Sequence, residues 1–285
     1  MITGNLGGVK IGDDTNPLIM GIINLSPTSF YKNSILNSRE KIINHLIKME
    51  KDRANFVDVG AKSSAPTHLY ENKEEISLEK EIEILKTFFD ALKEFDLKIP
   101  ISIDTQSAKT ADFALSHGAS IINDISGFKY DSNLPSVISD YGASTIIMAC
   151  KNNPGDVFNI KEIKSALKTS VSLGINANID KNKIIIDPGI GGWIPERNHL
   201  HDCNILWNLS EFRSLNQGIL VGISRKSFIG KILGLTPEER LWGSLAATTI
   251  AILKGAHVIR THDVRETRDV SLVTDFFMSR FEKQG

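Results

Sequence analysis

The chain has 285 residues, 41% of them hydrophobic and 24% charged, with a formal net charge of −1. That length supports one large core, and the near-zero charge gives no global field for nucleic acid or an anionic membrane, so neither is expected as a partner. Cys150 and Cys203 lie far apart without CxxC or His-rich spacing, which argues against a disulfide framework or structural zinc and fits a reducing cytoplasm. No apolar run approaches the roughly 20 residues that span a bilayer, and the start MITGNLGGVK lacks the charged segment and apolar stretch of a secretory signal.

Residues 1–17 precede the first strand-like run and are read as an N-terminal extension or a cap over a barrel bottom. Strand-like runs, mostly rich in Ile and Val, then begin near 18, 56, 100, 119, 144, 183, 219 and 257. Helical periodicity fills the intervals. Residues 38–52 place Ile42, Ile43, Leu46, Ile47 and Met49 on one side, with Ser38 as N-cap. Residues 74–95 repeat the pattern, and 107–117, 133–141, 160–174, 200–214, 237–254 and 266–281 read as further helices. Eight alternating units in one domain, 18–285, predict a (β/α)8 TIM barrel. A doubly wound sheet is the weaker fit, because no GxGxxG turn follows the first strand.

Each run stops at a polar or catalytic-type residue: Asn24, Asp58, Asp104, Asn123, Cys150, Asp187, the Ser224-Arg225-Lys226 run, and Arg260 with His262. In a barrel these endings share one face. Asp104, Asn123 and Asp187 each follow β-branched residues and together form an acceptor-rich wall, suited to a planar heterocycle bearing N–H and amino donors such as a 2-amino-4-oxo pterin. Any one of them alone reads as a strand-end cap. Arg225 and Lys226 follow the seventh strand, and Arg260 and His262 end the eighth. Loops at these places commonly bind phosphate, and the Arg-x-His spacing turns both side chains to the same side. Asn24 offers a hard oxygen for Mg²⁺ on a diphosphate, although Asn-x-Ser-Pro is also ordinary turn chemistry. The loop 25–37 is read as an active-site lid.

Taken in order, MGIINLSPTSF, SIDT, GASIINDISG, IIIDPGIG, LVGISRKSFIG and GSLAATTIAILKGAHVIRTHDV resemble the signature blocks of dihydropteroate synthase over roughly residues 18–280. The resemblance implies a homodimeric transferase of folate biosynthesis. It would join 4-aminobenzoate to 6-hydroxymethyl-7,8-dihydropterin diphosphate, with Mg²⁺ assisting, to give 7,8-dihydropteroate and diphosphate. It implies pterin contacts from Asp104, Asn123, Asp187 and Lys226, a pocket wall from Ile125 and Met148, and Arg260 packed on the pterin face. Asn24, Arg260 and His262 fall on the diphosphate and metal side. Ser227 falls beside the aminobenzoate, and Ser64 joins the substrate-binding set.

Departures from the family pattern cluster in the first two loops, with further replacements after the fifth and sixth strands. Where the family carries acids after the first strand, this chain has Thr28 and Lys32. Where it reads Gly-Glu-Ser-Thr-Arg-Pro-Gly after the second, this chain has Ala61-Lys62-Ser63-Ser64-Ala65-Pro66-Thr67. Gly192-Trp193-Ile194 replaces Phe-Gly-Lys, and Met148-Ala149-Cys150 replaces Met-His-Met. The new lysines admit a more anionic, phosphorylated arylamine as the nucleophile, with solvated loop charges as the simpler reading. A pterin-binding methyl-transfer domain, a non-catalytic pterin-binding protein and a generic sugar-phosphate barrel enzyme are the other readings. The first is disfavoured by Ser-Arg-Lys-Ser and Arg-Thr-His, and the last rests on architecture alone.

Overall fold

A computed structural model describes residues 1–25, 38–62 and 76–281. The chain opens with an antiparallel hairpin, β1 (Thr3–Leu6) and β2 (Val9–Gly12). Gly7 and Gly8 form its two-residue turn with φ of 57° and 90°, the left-handed pair that a tight hairpin needs. Leu6 and Ile11 are fully buried and pack on Met20, Phe56, Ile121, Ile146, Ile185, Leu220 and Val258. The hairpin thereby closes the N-terminal mouth of the barrel.

The barrel strands are β3 (Leu18–Asn24), β4 (Phe56–Gly60), β5 (Ile101–Asp104), β6 (Ile121–Asp124), β7 (Ser144–Met148), β8 (Ile184–Asp187), β9 (Gly218–Gly222) and β10 (Val258–Thr261). All pair in parallel, and β10 joins both β9 and β3, closing the barrel. The expected (β/α)8 fold is therefore present. Outward-facing residues such as Val57, Val59, Ile103, Ile122, Ile147, Val221 and Ile259 merge with the helices into one continuous core. Inward residues form a separate small cluster at the bottom. Burial on both sides is why these strands read as near-continuous apolar runs.

The helices are α1 (Arg39–Lys51), α2 (Leu78–Leu92), α3 (Ala108–Ser116), α4 (Leu134–Asp140), α5 (Ile160–Asn176), α6 (His199–Trp207), α7 (Ser227–Leu233), α8 (Leu241–Leu253) and α9 (Val264–Phe281). Ser38 caps α1 by accepting from the Lys41 amide, and Ile42, Leu46 and Met49 are its buried face. Helix α2 starts at Leu78, later than periodicity alone indicates, because Ser77 caps it there. The segment 200–214 is two elements: α6, then a 3-10 turn at Leu209–Leu215. The segment 237–254 likewise divides into a 3-10 turn at Pro237–Glu239 and α8. Helix α7 escapes the sequence reading altogether. It has only seven residues, with Gly230 at its centre, too few turns to display a period.

Candidate active site

Alternation along the strands turns every second residue inward. Above the apolar bottom layer, the inward positions include Ile22 on β3, Asp58 on β4, Ser102 and Asp104 on β5, Asn123 on β6, Met148 on β7, Asp187 on β8, Gly222 on β9 and Arg260 on β10. Asp104 is level with Asn123, and Met148 with Asp187. The barrel thus changes from hydrocarbon to a ring of acids, amide and guanidinium within one pleat.

Asp58 lies at the centre of that ring and is fully buried. Its Oδ1 accepts from Ser102 Oγ at 2.6 Å, and its Oδ2 accepts from Arg260 Nε at 2.6 Å and Asn123 Nδ2 at 3.1 Å. Arg260 Nη2 reaches Asp104 Oδ2 at 3.4 Å. Burial works against the Arg260 charge, but Asp58 and Asp104 outweigh it and hold the guanidinium above its ordinary range. The sequence reading takes Asp58 only as the end of an apolar run. The available signal is its inward place between Phe56 and Gly60, since a buried carboxylate in mid-strand requires partners.

The other half of the ring is built by the β8 and β9 loops. Asp187 Oδ1 accepts from the Gly189 amide at 2.8 Å. Burial pushes its carboxyl up, partly offset by Lys226 and Arg260. Lys226 directly precedes α7 and donates to the Ile190 carbonyl. Its Nζ lies 5.2 Å from the Trp193 ring centroid. Burial brings the ammonium down to about 8 against the attraction of Asp187 and Asp202. Trp193 donates from Nε1 to the Gly189 carbonyl at 2.9 Å, so the residue that departs from the family pattern walls the site. Behind this turn, Asp202 accepts from the Gly191 amide at 2.8 Å and sits 3.3 Å from Arg197 Nε, both side chains being buried. Met148 is buried and Ile125 half-buried at the same mouth.

His262 follows β10. Its backbone amide donates to Ser224 Oγ at 3.2 Å, and its Nδ1 lies 3.1 Å from the same oxygen. Burial, reinforced by Arg260 and Arg225, brings the imidazole down to about 3. His262 is therefore a neutral hydrogen-bonding group at pH 7, not a standing positive charge. Arg225 does not face this space, contrary to its expected place in a phosphate site. It grips Asp263 with Nε and Nη2 at 2.9 and 2.8 Å, and gives Nη1 to the Pro237 and Glu238 carbonyls. Arg225 is a brace, held by these bonds with its backbone in the left-handed region at φ of 57°.

Asn24 ends β3 in register with Gly60 and is half-buried, and Ser227 is the first residue of α7. Asn24 brings one hard oxygen to the rim. Among the described residues no group of three His, Cys, Asp or Glu is gathered for a metal. This donor set fits Mg²⁺ carried largely by a ligand's phosphates and water, as that ion prefers. Glu81, buried on α2, accepts from Thr105 Oγ1 at 2.7 Å; burial pushes its carboxyl up, partly offset by that bond and by the charge of Lys62. Thr28, Lys32, Ser64, Ala65 and nearly all of the 25–37 lid loop lie outside the described residues.

The site's composition agrees with what the chain resembles. A model of pterin binding enzymes matches residues 20–262. Dihydropteroate synthase of Clostridium beijerinckii is 36% identical over 95% of this chain and 97% of its own length. The Escherichia coli enzyme is 33% identical over 95% of each. Among solved structures, a Coxiella burnetii dihydropteroate synthase in complex with pteroic acid superposes with a TM-score of 0.85 at 30% identity, covering 98% of this chain and 99% of that one. The Yersinia pestis enzyme with a sulfonamide drug complex gives the same TM-score at 27% identity. The chain belongs to the pterin-binding enzyme family, together with the dihydropteroate synthases.

Proposed function

We propose that this chain condenses 6-hydroxymethyl-7,8-dihydropterin diphosphate with 4-aminobenzoate, releasing diphosphate and forming 7,8-dihydropteroate in folate biosynthesis. The observation that carries this reading is the ring of Asp104, Asn123, Asp187, Lys226 and Arg260 on one barrel mouth, seated above the buried Asp58. It offers acceptors for the N–H and amino groups of a pterin, and a lysine for its carbonyl. Arg260 lies across that ring as a flat platform for the heterocycle.

An aromatic amine is a weak nucleophile, so the useful strategy is to ease departure of diphosphate. As the C–O bond breaks, the pterin delocalises positive charge from its exocyclic methylene, and the Asp104 carboxylate favours that charge. His262 donates a hydrogen bond to the departing oxygens, and Arg260 supplies positive potential at the same edge. Asn24 would hold Mg²⁺ with the diphosphate, and the ion supplies charge neutralisation to the leaving group. The amine nitrogen then forms the new C–N bond and loses its proton to water, with Ser227 at the edge where the aminobenzoate sits. Ser64 belongs to the same substrate-binding set.

A diphosphate-release assay tests the reading directly. With dihydropterin diphosphate and 4-aminobenzoate the chain should release diphosphate. Release only with a phosphorylated arylamine would transfer the reading to that nucleophile, and no release with any amine would leave a pterin-binding protein.

The enzyme is proposed to act as a homodimer in the cytoplasm, a setting supported by its two free thiols. No helix among the described residues is long and apolar enough to cross a membrane. A groove of about 310 Å³ between α6, α7 and α8 is lined by Trp207, Phe228, Ile232 and Leu233, and Trp242 beside it is 77% exposed. An apolar surface of this kind supports self-association. Sedimentation should give a dimer at micromolar concentration and a monomer for Ile232→Glu; a wild-type monomer would refute the dimer.

A further inference from the structure

We propose that Asp58 is the positioning residue of the pterin wall, its carboxylate fixing which edge of Asn123 and which plane of Arg260 the substrate meets; this rests on the functional reading above. Asp58 does not reach the mouth. It is one inward step below Gly60, and Gly60 is level with Asp104 and, through it, with Asn123. Its role is therefore exerted through its neighbours.

The chemistry of those neighbours makes the role directional. A carboxylate only accepts, so it selects the NH2 edge of a primary amide over the carbonyl edge. Asn123 gives Nδ2 to Asp58 at 3.1 Å. Its Oδ1 then occupies the opposite edge, away from the barrel floor, where it accepts from a ring N–H. Without Asp58, the two edges of Asn123 become nearly equivalent in shape and can exchange. Arg260 has one hydrogen on Nε, and Asp58 takes it at 2.6 Å while Asp104 engages Nη2 at 3.4 Å. Two anchors on a planar fork fix its plane. Ser102 Oγ, bonded to the remaining carboxylate oxygen at 2.6 Å, keeps Asp58 itself from turning. A single buried carboxylate thus sets the acceptor pattern of the wall and the tilt of the platform.

The test is calorimetric titration with 6-hydroxymethylpterin, alongside thermal melts that report folding. Asp58→Asn should weaken pterin binding by about 10- to 100-fold, the scale on which loss of a group orienting a metal ligand weakens metal binding, taken over to a pterin contact. The loss should shrink in the Arg260→Lys and Asn123→Ala backgrounds, because each already lacks one group through which Asp58 acts. Wild-type affinity in Asp58→Asn, or a loss of full size in both backgrounds, overturns the proposal. If Asp58→Asn does not fold, wild-type protein carrying 15N-asparagine decides: the Asn123 side-chain amide protons, identified by their loss in Asn123→Ala, should resist exchange with and without pterin. Rapid exchange of those protons overturns the proposal. A wild-type chain that takes up no pterin overturns the functional reading itself, and this inference with it.

Discussion

Lys226 shows how burial and charge divide the work at single residues. Burial brings its ammonium down to about 8, while Asp187 and Asp202 resist that descent. The side chain is charged below this value and neutral above it. If the charged form polarises the pterin carbonyl, kcat/KM, which reports groups of the free enzyme, should hold below pH 8 and fall above it. Lys226→Arg should carry the basic limb out of the measurable range, because a guanidinium keeps its proton. An unchanged limb in that variant would assign it to another group. His262 moves in the same direction and out of range: brought down to about 3 by burial, it has no titration to contribute between pH 5 and 9. Residues such as Asp104, Asn123 and Asp187 are legible in the sequence because each stands at or next to the end of its strand. Asp58 is legible only as the end of an apolar run, because nothing around it in the sequence shows the Ser102, Asn123 and Arg260 partners that give it a role.

At the scale of elements, the eight barrel strands and most helices follow directly from the pattern of apolar residues. The failures occur where a short element is defined by tertiary contacts. Helix α7 exists because the chain is held on both sides of it. Arg225 ties its start to Asp263 and to the Pro237 and Glu238 carbonyls, and Arg240 donates to the Leu235 and Arg225 carbonyls. None of these partners is visible as a period. The same contacts set the position of Lys226, the next residue after Arg225. Arg225→Met strands the Asp263 carboxylate, 16% exposed, and should cost about 3 kcal/mol in urea unfolding, the lower end for breaking a buried pair. It should also raise KM for the pterin, since Lys226 loses its foundation. Adding Asp263→Leu should restore part of the stability by removing the stranded charge. Loss of stability without any rise in KM would separate the brace from the site.

Across the whole molecule the barrel divides its labour between two mouths. The C-terminal mouth gathers carboxylates, guanidinium and ammonium, groups whose burial costs stability unless they are paired. The N-terminal mouth is filled mainly by hydrocarbon, completed by Leu6 and Ile11 from the hairpin, and Ser144 Oγ pins the hairpin by accepting from the Gly7 amide and donating to the Asn5 carbonyl. Residues 1–17 carry no clear helical or strand period, so their sequence indicates a cap without indicating its form. The Gly7-Gly8 turn is the one local signal of a hairpin. Its role follows from packing: Leu6 is fully buried against the bottom layer, on the opposite side of that layer from the polar ring. Leu6→Ala should therefore cost about 2–5 kcal/mol, the range for truncating a core leucine, measured as a lower urea midpoint. Because the inward layer of Met20, Phe56 and Leu220 separates Leu6 from Asp58 and Arg260, KM and kcat at 25 °C should stay near wild type while the protein remains folded. A change in KM as large as that from an active-site substitution would mean that the two mouths are mechanically coupled through this layer.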